Sequence, residues 1–153
     1  EFYDSIDWPI IVLLGSMIPI SMAFEYTGAA NFLVKFFIGD SPTLSPLLIL
    51  TAMLVITMLL TDIMNNAATA IIMAPISVSI AQSLEVNPDS FLMAVAIGAS
   101  SSFLTPIGHQ NNALILGPGG YRFSDYWRMG LPLDVIIVLI SIPMILLVWP
   151  LQP

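Results

Sequence analysis

A long uncharged stretch, interrupted by one short polar segment, most strongly limits what this chain can fold into. Residues 41–84 contain a single charged side chain, Asp62, with 21 uncharged residues before it and 22 after it. One straight helix of these 44 residues would extend about 66 Å, whereas the hydrocarbon core of a bilayer is roughly 30 Å thick. The chain must therefore turn, and residues 60–69, hereafter the first polar segment, are the predicted place.

A second polar segment interrupts the uncharged run 90–121. It comprises residues 105–112, with the sequence Thr-Pro-Ile-Gly-His-Gln-Asn-Asn. Short apolar segments interrupted by Gly or Pro in paired positions point to the binding site of a transporter. We expect the two polar segments to meet inside a membrane and to form an ion and substrate site.

The composition supports a membrane location. The chain is 58% hydrophobic and 8% charged, against about 25% charged residues in soluble domains. An all-α polytopic membrane protein in contact with the lipid bilayer is predicted, because barrel strands would alternate apolar and polar residues. Three basic residues exclude nucleic-acid binding, and the absence of cysteine excludes disulfides and thiolate chemistry.

The order of apolar runs and turn residues predicts five elements in one transmembrane domain, residues 1–153. They are a helix at 7–25, an interfacial helix at 29–38, a re-entrant hairpin at 44–84, a broken helix at 89–118 and a last helix at 130–149. For 29–38, a helical loop between two spans is an equal alternative.

Two further expectations concern the segment before the last helix and the beginning of the chain. Residues 124–129, which include Tyr126 and Trp127, are expected at the membrane surface before the last helix. The chain begins at Glu1 without an initiator Met or a leader pattern, so we expect it to be the C-terminal part of a longer protein.

The first polar segment has two interpretations. As a surface turn it would use Asp62, Asn65 and Asn66 as ordinary turn residues. As the tip of a re-entrant hairpin it would use the small residues that follow, beginning with Ala67 and Ala68, for close packing. In that case free carbonyl groups, the Thr61 hydroxyl and the Asn66 amide oxygen suit Na⁺. The free N–H groups that begin the second arm suit an anion.

Each polar segment contains one ionisable side chain, and we expect the two side chains to have different roles. Asp62 in the middle of a membrane would cost about 2.5–3.5 kcal/mol on insertion scales, so it would face the interior as a second-shell partner of a cation or as a proton carrier. His109 is the only histidine, which leaves no multi-histidine metal site. We expect His109 to order its loop by hydrogen bonding rather than to act as a ligand or proton relay.

Residues 61–69, Thr-Asp-Ile-Met-Asn-Asn-Ala-Ala-Thr, resemble the second Ser-Asn-Thr hairpin-tip motif of the divalent anion:sodium symporters. Residues 105–112 are similar to the Thr-Pro-containing break in the paired discontinuous helix of that family. Residues 117–126 and 130–133 resemble the permease branch that often carries cytosolic TrkA-C-type domains and includes sulfate transporters. The resemblance covers nearly the whole chain.

This resemblance implies an inverted-repeat half of a sodium-coupled symporter that works by alternating access. By position, sodium would be bound by Thr61, the Met64 carbonyl, Asn66 and a carbonyl near Leu104. The substrate would touch Asn65, Asn66, Ala67, Thr105 and Pro106. The implied partners are a small anionic substrate, sodium, the N-terminal repeat of the same protein and a second copy in a homodimer, in a multi-pass inner-membrane protein.

Two departures from the motif bear on the substrate. Asn65 stands where the family has Ser, and Ala67 stands where it has Thr. The hydroxyl that would meet a substrate carboxylate is therefore missing, which favours an inorganic dianion such as sulfate over a dicarboxylate. The Ile-Gly-His-Gln-Asn insertion leaves the correspondence beyond Pro106 open.

Three rival functions remain. A cation/proton exchanger or arsenite-type permease on the same scaffold would use Asp62 as the titrating group. A structural membrane subunit would tolerate loss of the polar side chains of both segments. An intramembrane aspartyl protease is disfavoured because Asp62 has no expected carboxylate partner in the membrane. With the hairpin open to the outside, Arg122 and Arg128 fall inside and Lys35 outside, as the positive-inside rule requires.

Overall fold

The computed structural model describes residues 45–152, together with residues 19, 23 and 26–28. The predicted interfacial helix at 29–38 lies outside the described residues, as does most of the predicted helix at 7–25. The described part is helical and contains no strand. Its helices are α1 (Pro46–Thr61), α2 (Asn66–Ser83), α3 (Pro88–Ala99), α4 (Gln110–Leu116) and α5 (Phe123–Val148).

Helices α1 and α2 are consecutive, and a four-residue connection at the first polar segment separates them. Ser45 caps α1 by accepting a hydrogen bond from the Leu48 N–H, and Pro46 occupies a first-turn position where its missing N–H costs nothing. Asn65 caps α2 in the same way through the Ala68 N–H, at 2.7 Å. The chain therefore turns where the sequence predicts it to turn.

Helix α3 packs against both α1 and α2. Asn87 caps it and Pro88 opens it. Phe91 of α3 is fully buried against the apolar core. Near the end of α3, a methyl group on Gly98 would lie 2.8 Å from Thr57 Cβ, so the glycine permits close approach of α3 to α1. This approach brings the end of α3 to the end of α1.

Helix α5 begins earlier than predicted. Its 26 residues start at Phe123, so the predicted start at residue 130 is wrong, and residues 124–129 are the first turns of the helix rather than a separate surface segment. The cause is a local cap: the Arg122 N–H donates to Asp125 Oδ2 at 2.8 Å, which favours helix from Phe123 onward. The helix ends at Val148, one residue before the predicted end.

Helix α5 is the one helix of the described residues that is long and apolar enough to cross a membrane, and α1 and α3 are shorter apolar helices. Its far end meets the start of α3, because the Asn87 N–H donates to the Leu151 carbonyl at 2.9 Å. Its near end meets α4, because the Tyr126 hydroxyl donates to the Asn112 carbonyl at 2.7 Å. Helix α5 thus runs back alongside the path from α3 through α4.

Candidate functional site

The end of α1 and the end of α3 share one buried threonine. Thr61 is 0% exposed, and its hydroxyl lies 2.9 Å from both the Asn66 Oδ1 atom and the Ala99 carbonyl oxygen. A hydroxyl has one proton to donate, so the two acceptors share it. This places the last residue of α1, the first residue of α2 and the last residue of α3 around one oxygen atom.

Asp62 joins the two polar segments. Its Oδ1 atom accepts hydrogen bonds from the Ser102 hydroxyl at 3.2 Å and the Leu104 N–H at 3.1 Å. Its backbone carbonyl accepts a third from the Thr105 hydroxyl at 2.7 Å. The two segments therefore meet, as the sequence predicts.

Gly108 allows the two polar segments to come into close contact. A Cβ atom on Gly108 would overlap the Ser102 hydroxyl and the Thr61 carbonyl, and would lie 2.8 Å from Asp62 Cα. No residue other than glycine fits this position without displacing backbone. Gly108 thus contributes close approach of the second polar segment to the first.

The Asp62 carboxylate is almost completely enclosed. The residue is 4% exposed, and its Oδ2 atom has no hydrogen-bond partner among the residues that the structure describes. A buried, ionised carboxylate oxygen without such a donor is stabilised by a nearby cation, since its hydration has been removed. The site is therefore electrostatically suited to a positive ion.

A second acid, which was not predicted to belong to the site, lies on α5. Asp134 is half-buried and interacts electrostatically with Asp62, so a second carboxylate lies in a region where the sequence analysis expected none. Asp134 lines a groove of about 330 Å³ between α1 and α5 whose other lining residues, Leu104 among them, are apolar. The signal was present in the sequence, because an acid stands five residues into the predicted last helix.

Two of the four candidate cation ligands lie side by side. The Thr61 hydroxyl and the Asn66 amide oxygen are adjacent, Met64 is 1% exposed, and Leu104 is held to Asp62 through its N–H. All four offer hydroxyl, amide or carbonyl oxygen, which are the hard donors that alkali and alkaline-earth cations prefer. The described residues contain no group of three His, Asp or Glu side chains that could hold a metal ion.

The candidate anion contacts lie at the start of α2 and in the break after α3. Asn65 and Ala67 are exposed and Asn66 is half-buried. Pro106 is buried. The Thr105 hydroxyl is already engaged, since it donates to Asp62 and accepts from the Ile107 and Gly108 N–H groups at 3.2 and 3.3 Å. Thr105 therefore fixes the break, and its hydroxyl proton is not available to a substrate in this arrangement.

His109 caps α4. Its Nδ1 atom accepts from the Asn111 N–H at 3.1 Å, which agrees with the expectation that it orders the loop. Two residues that sequence reasoning did not single out complete the break. The Asn112 side chain bonds the Ser102 and Thr105 carbonyls, and the Tyr126 hydroxyl bonds the Asn112 carbonyl. These contacts join residues 7 to 14 positions apart, and no periodic pattern in the sequence predicts them.

Comparison with known proteins connects this geometry to transport. The CitMHS citrate transporter family model matches residues 1–153. An uncharacterised transporter of Synechocystis is 40% identical over 153 residues, which is 100% of this chain and 25% of the relative. Sodium/sulfate cotransporter 1 of Chlamydomonas reinhardtii is 26% identical over 141 residues, covering 90% of this chain and 16% of the relative.

A further relative carries a different substrate in its name. The sodium-dependent dicarboxylate transporter SdcS of Staphylococcus saprophyticus is 24% identical over 145 residues, covering 93% of this chain and 27% of the relative. The chain thus spans about a quarter or less of the length of these relatives. Their names confirm the predicted likeness to sodium-coupled anion transporters.

Proposed function

Because this chain belongs to the CitMHS citrate transporter family, we propose that it forms one inverted-repeat half of a secondary active transporter that moves a divalent anion together with sodium. The observation that carries the proposal is the contact of the two polar segments at Asp62, where three hydrogen bonds join the end of α1 to the break after α3, two of them to the buried carboxylate. Sodium is the proposed coupling ion, in keeping with the names of two relatives.

The cation side of the site uses oxygen donors from both segments. Thr61 and Asn66 supply a hydroxyl and an amide oxygen, and Met64 and Leu104 supply backbone carbonyls. Binding of Na⁺ between them would offset the charge of Asp62, whose Oδ2 atom accepts no hydrogen bond from residues 45–152. Sodium would thereby stabilise the contact between the first and second polar segments, which is the physical basis proposed here for coupling.

The anion side uses the start of α2. The first N–H groups of an 18-residue helix have no intrahelical partner and favour negative charge. Asn65 already accepts the Ala68 N–H through its Oδ1 atom, which leaves its amide N–H₂ group as a donor. With Asn66, Ala67, Thr105 and Pro106 bordering the same region, a dianion without carboxylate geometry, such as sulfate, is the proposed substrate class.

The lengths of the helices support a re-entrant hairpin. The break lies between α3, which is about 18 Å long, and α4, which is about 10 Å long. The residue that caps α3, Asn87, donates to the Leu151 carbonyl just beyond α5, whereas Asn112, which bonds the break, accepts from Tyr126 in the first turn of α5. The break also approaches Gly130 of α5, so the first polar segment, which contacts the break, would lie within the length of α5. Irregular backbone at that depth is tolerated where it lines a polar site.

In the proposed transporter this half works with the N-terminal repeat, which would supply a second sodium site and the rest of the anion site. The complete protein would be a homodimer of multi-pass subunits in the inner membrane. Transport would proceed by alternating access, with the hairpin and the broken helix moving together with the substrate.

The test is uptake of labelled sulfate and labelled succinate by the full-length protein in proteoliposomes, with and without a sodium gradient. Sodium-driven uptake of either anion supports sodium-coupled symport, and a preference for succinate over sulfate would contradict the proposed substrate class. Uptake driven by a proton gradient and indifferent to sodium would refute it. That outcome would favour an exchanger or arsenite-type permease in which the free Oδ2 atom of Asp62 carries the proton.

A further inference from the structure

Asn112 holds the break in the helix from outside the candidate site. Its Nδ2 atom donates to the Ser102 carbonyl at 2.9 Å and to the Thr105 carbonyl at 3.3 Å. Both carbonyls lie beyond the end of α3, where no helical N–H can reach them. Because buried carbonyl groups without donors are costly, one side-chain amide here stabilises two positions of an otherwise irregular segment.

The two carbonyls flank the candidate sodium ligand. The Leu104 N–H is fixed by Asp62 Oδ1 at 3.1 Å, and the carbonyl of the next residue, Thr105, is fixed by Asn112. The Leu104 carbonyl turns through ψ of Leu104 and φ of Thr105, and fixing the peptide groups on both sides restricts that rotation. None of the hydrogen bonds within residues 45–152 uses the Leu104 carbonyl oxygen.

Asn112 is held in turn by the start of α5. The Tyr126 hydroxyl donates to the Asn112 carbonyl at 2.7 Å. The Tyr126 ring packs edge-on against Tyr121, with centroids 6.3 Å apart and planes at 71°. A continuous series of bonds therefore runs from Tyr126 through Asn112 and the break to Asp62.

We propose that Asn112 and Tyr126 are positioning residues for the cation site: they contact neither ion nor anion, and they set sodium affinity by fixing the direction of the Leu104 carbonyl. The inference rests on the proposed sodium symport and adds to it two residues outside the four candidate ligands. Asn112 acts directly on the break, and Tyr126 acts through Asn112.

The test is a sodium titration of labelled anion uptake by the full-length protein in proteoliposomes. Asn112→Asp keeps the side-chain shape and removes the donor, Asn112→Gln keeps the amide donor, and Tyr126→Phe removes one hydroxyl. Asn111→Asp is the matched control for the added charge, because the Asn111 side chain is exposed and makes no hydrogen bond to residues 45–152. Tyr121→Phe is the control for a lost phenol hydroxyl.

Asn112→Asp is expected to raise the half-saturating sodium concentration about tenfold, and Tyr126→Phe about threefold, as the loss of one to two hydrogen bonds predicts. The maximal rate at saturating sodium should stay within about twofold of wild type, and Asn112→Gln should recover most of the sodium affinity. Both controls should overlay the wild-type curve.

Two results would overturn the inference. One is an unchanged sodium titration for Asn112→Asp. The other is a loss of maximal rate and folding stability with no shift in half-saturating sodium, which would mean that Asn112 only supports the fold.

If the wild-type protein shows no sodium dependence, the symport proposal fails independently. Amide hydrogen exchange at Ile107 and Gly108 then decides the positioning claim, because both N–H groups are bonded to Thr105 Oγ1 in the break. Faster exchange there in Asn112→Asp than in Asn111→Asp supports positioning, and equal exchange overturns it.

Discussion

Replacing Gly130 by Ala sets two effects of opposite sign against each other. In an ordinary helix interior, Gly→Ala stabilises by about 1 kcal/mol through backbone entropy and helix propensity. At Gly130 of α5, however, the added methyl would overlap the Phe103 carbonyl group and lie 3.0 Å from the Leu104 nitrogen. These are backbone atoms of the break, which cannot rotate away as a flexible side chain would.

Overpacking of a buried site costs typically about 1–3 kcal/mol, and overlap with backbone belongs to the upper part of that range. The steric term therefore wins, and Gly130→Ala is expected to destabilise the protein by about 1–2 kcal/mol net. Because the displaced atoms include the Leu104 peptide, the half-saturating sodium concentration should also rise, by roughly five- to tenfold.

Thermal unfolding of the purified full-length protein in detergent, followed by a sodium titration of anion uptake, measures both effects. Met129→Ala on the same turn is the control, since the Met129 side chain is 78% exposed and meets no backbone of the break. A higher melting temperature for Gly130→Ala, with unchanged sodium dependence, would show that α5 does not approach the break as described.

Three further changes test other parts of the structure. Gly108→Ala is expected to reduce sodium-dependent uptake at least tenfold at subsaturating sodium, because its Cβ would separate the two polar segments; normal uptake would contradict the contact. Glu85→Asn should raise the stability measured by thermal unfolding by about 0.5–1 kcal/mol, because Glu85 has φ 54° and asparagine tolerates that conformation better; a loss of stability would contradict the described end of α2. Asp134→Asn should raise the half-saturating sodium concentration about threefold by removing a negative charge near Asp62, with Asp89→Asn, on the exposed start of α3, as the control that leaves it unchanged.

The sequence predicted the turn at Asp62 for reasons that are local. An uncharged run too long for one crossing needed a break, and Asn65 is a strong N-cap residue. The contact between the two polar segments could also be predicted from the sequence. Buried polar groups are nearly always hydrogen-bonded, and each segment contains donors and acceptors that can bond the other.

The start of α5 and the hydrogen bonds of the break depend on contacts that could not be predicted from the sequence. The start of α5 was misjudged because Tyr126 and Trp127 suggest a membrane surface, whereas the backbone bond from Arg122 to Asp125 begins a helix there. The hydrogen bond from the Thr105 hydroxyl to the Asp62 carbonyl, 43 residues away, could be recognised only from the three-dimensional structure. The same holds for the bond between Asn112 and Tyr126, because the neighbouring residues of the same types, Asn111 and Tyr121, are exposed.

The proposed function depends on sodium binding by the two polar segments together. Equilibrium sodium binding to the purified full-length protein measures this property. Thr61→Val keeps the side-chain shape and removes the hydroxyl that Asn66 and Ala99 share, whereas Thr51→Val removes an exposed hydroxyl from the same helix.

We expect at least a tenfold weaker sodium affinity for Thr61→Val and wild-type affinity for Thr51→Val. Equal sodium affinity for Thr61→Val and the wild type would show that Thr61 takes no part in sodium binding.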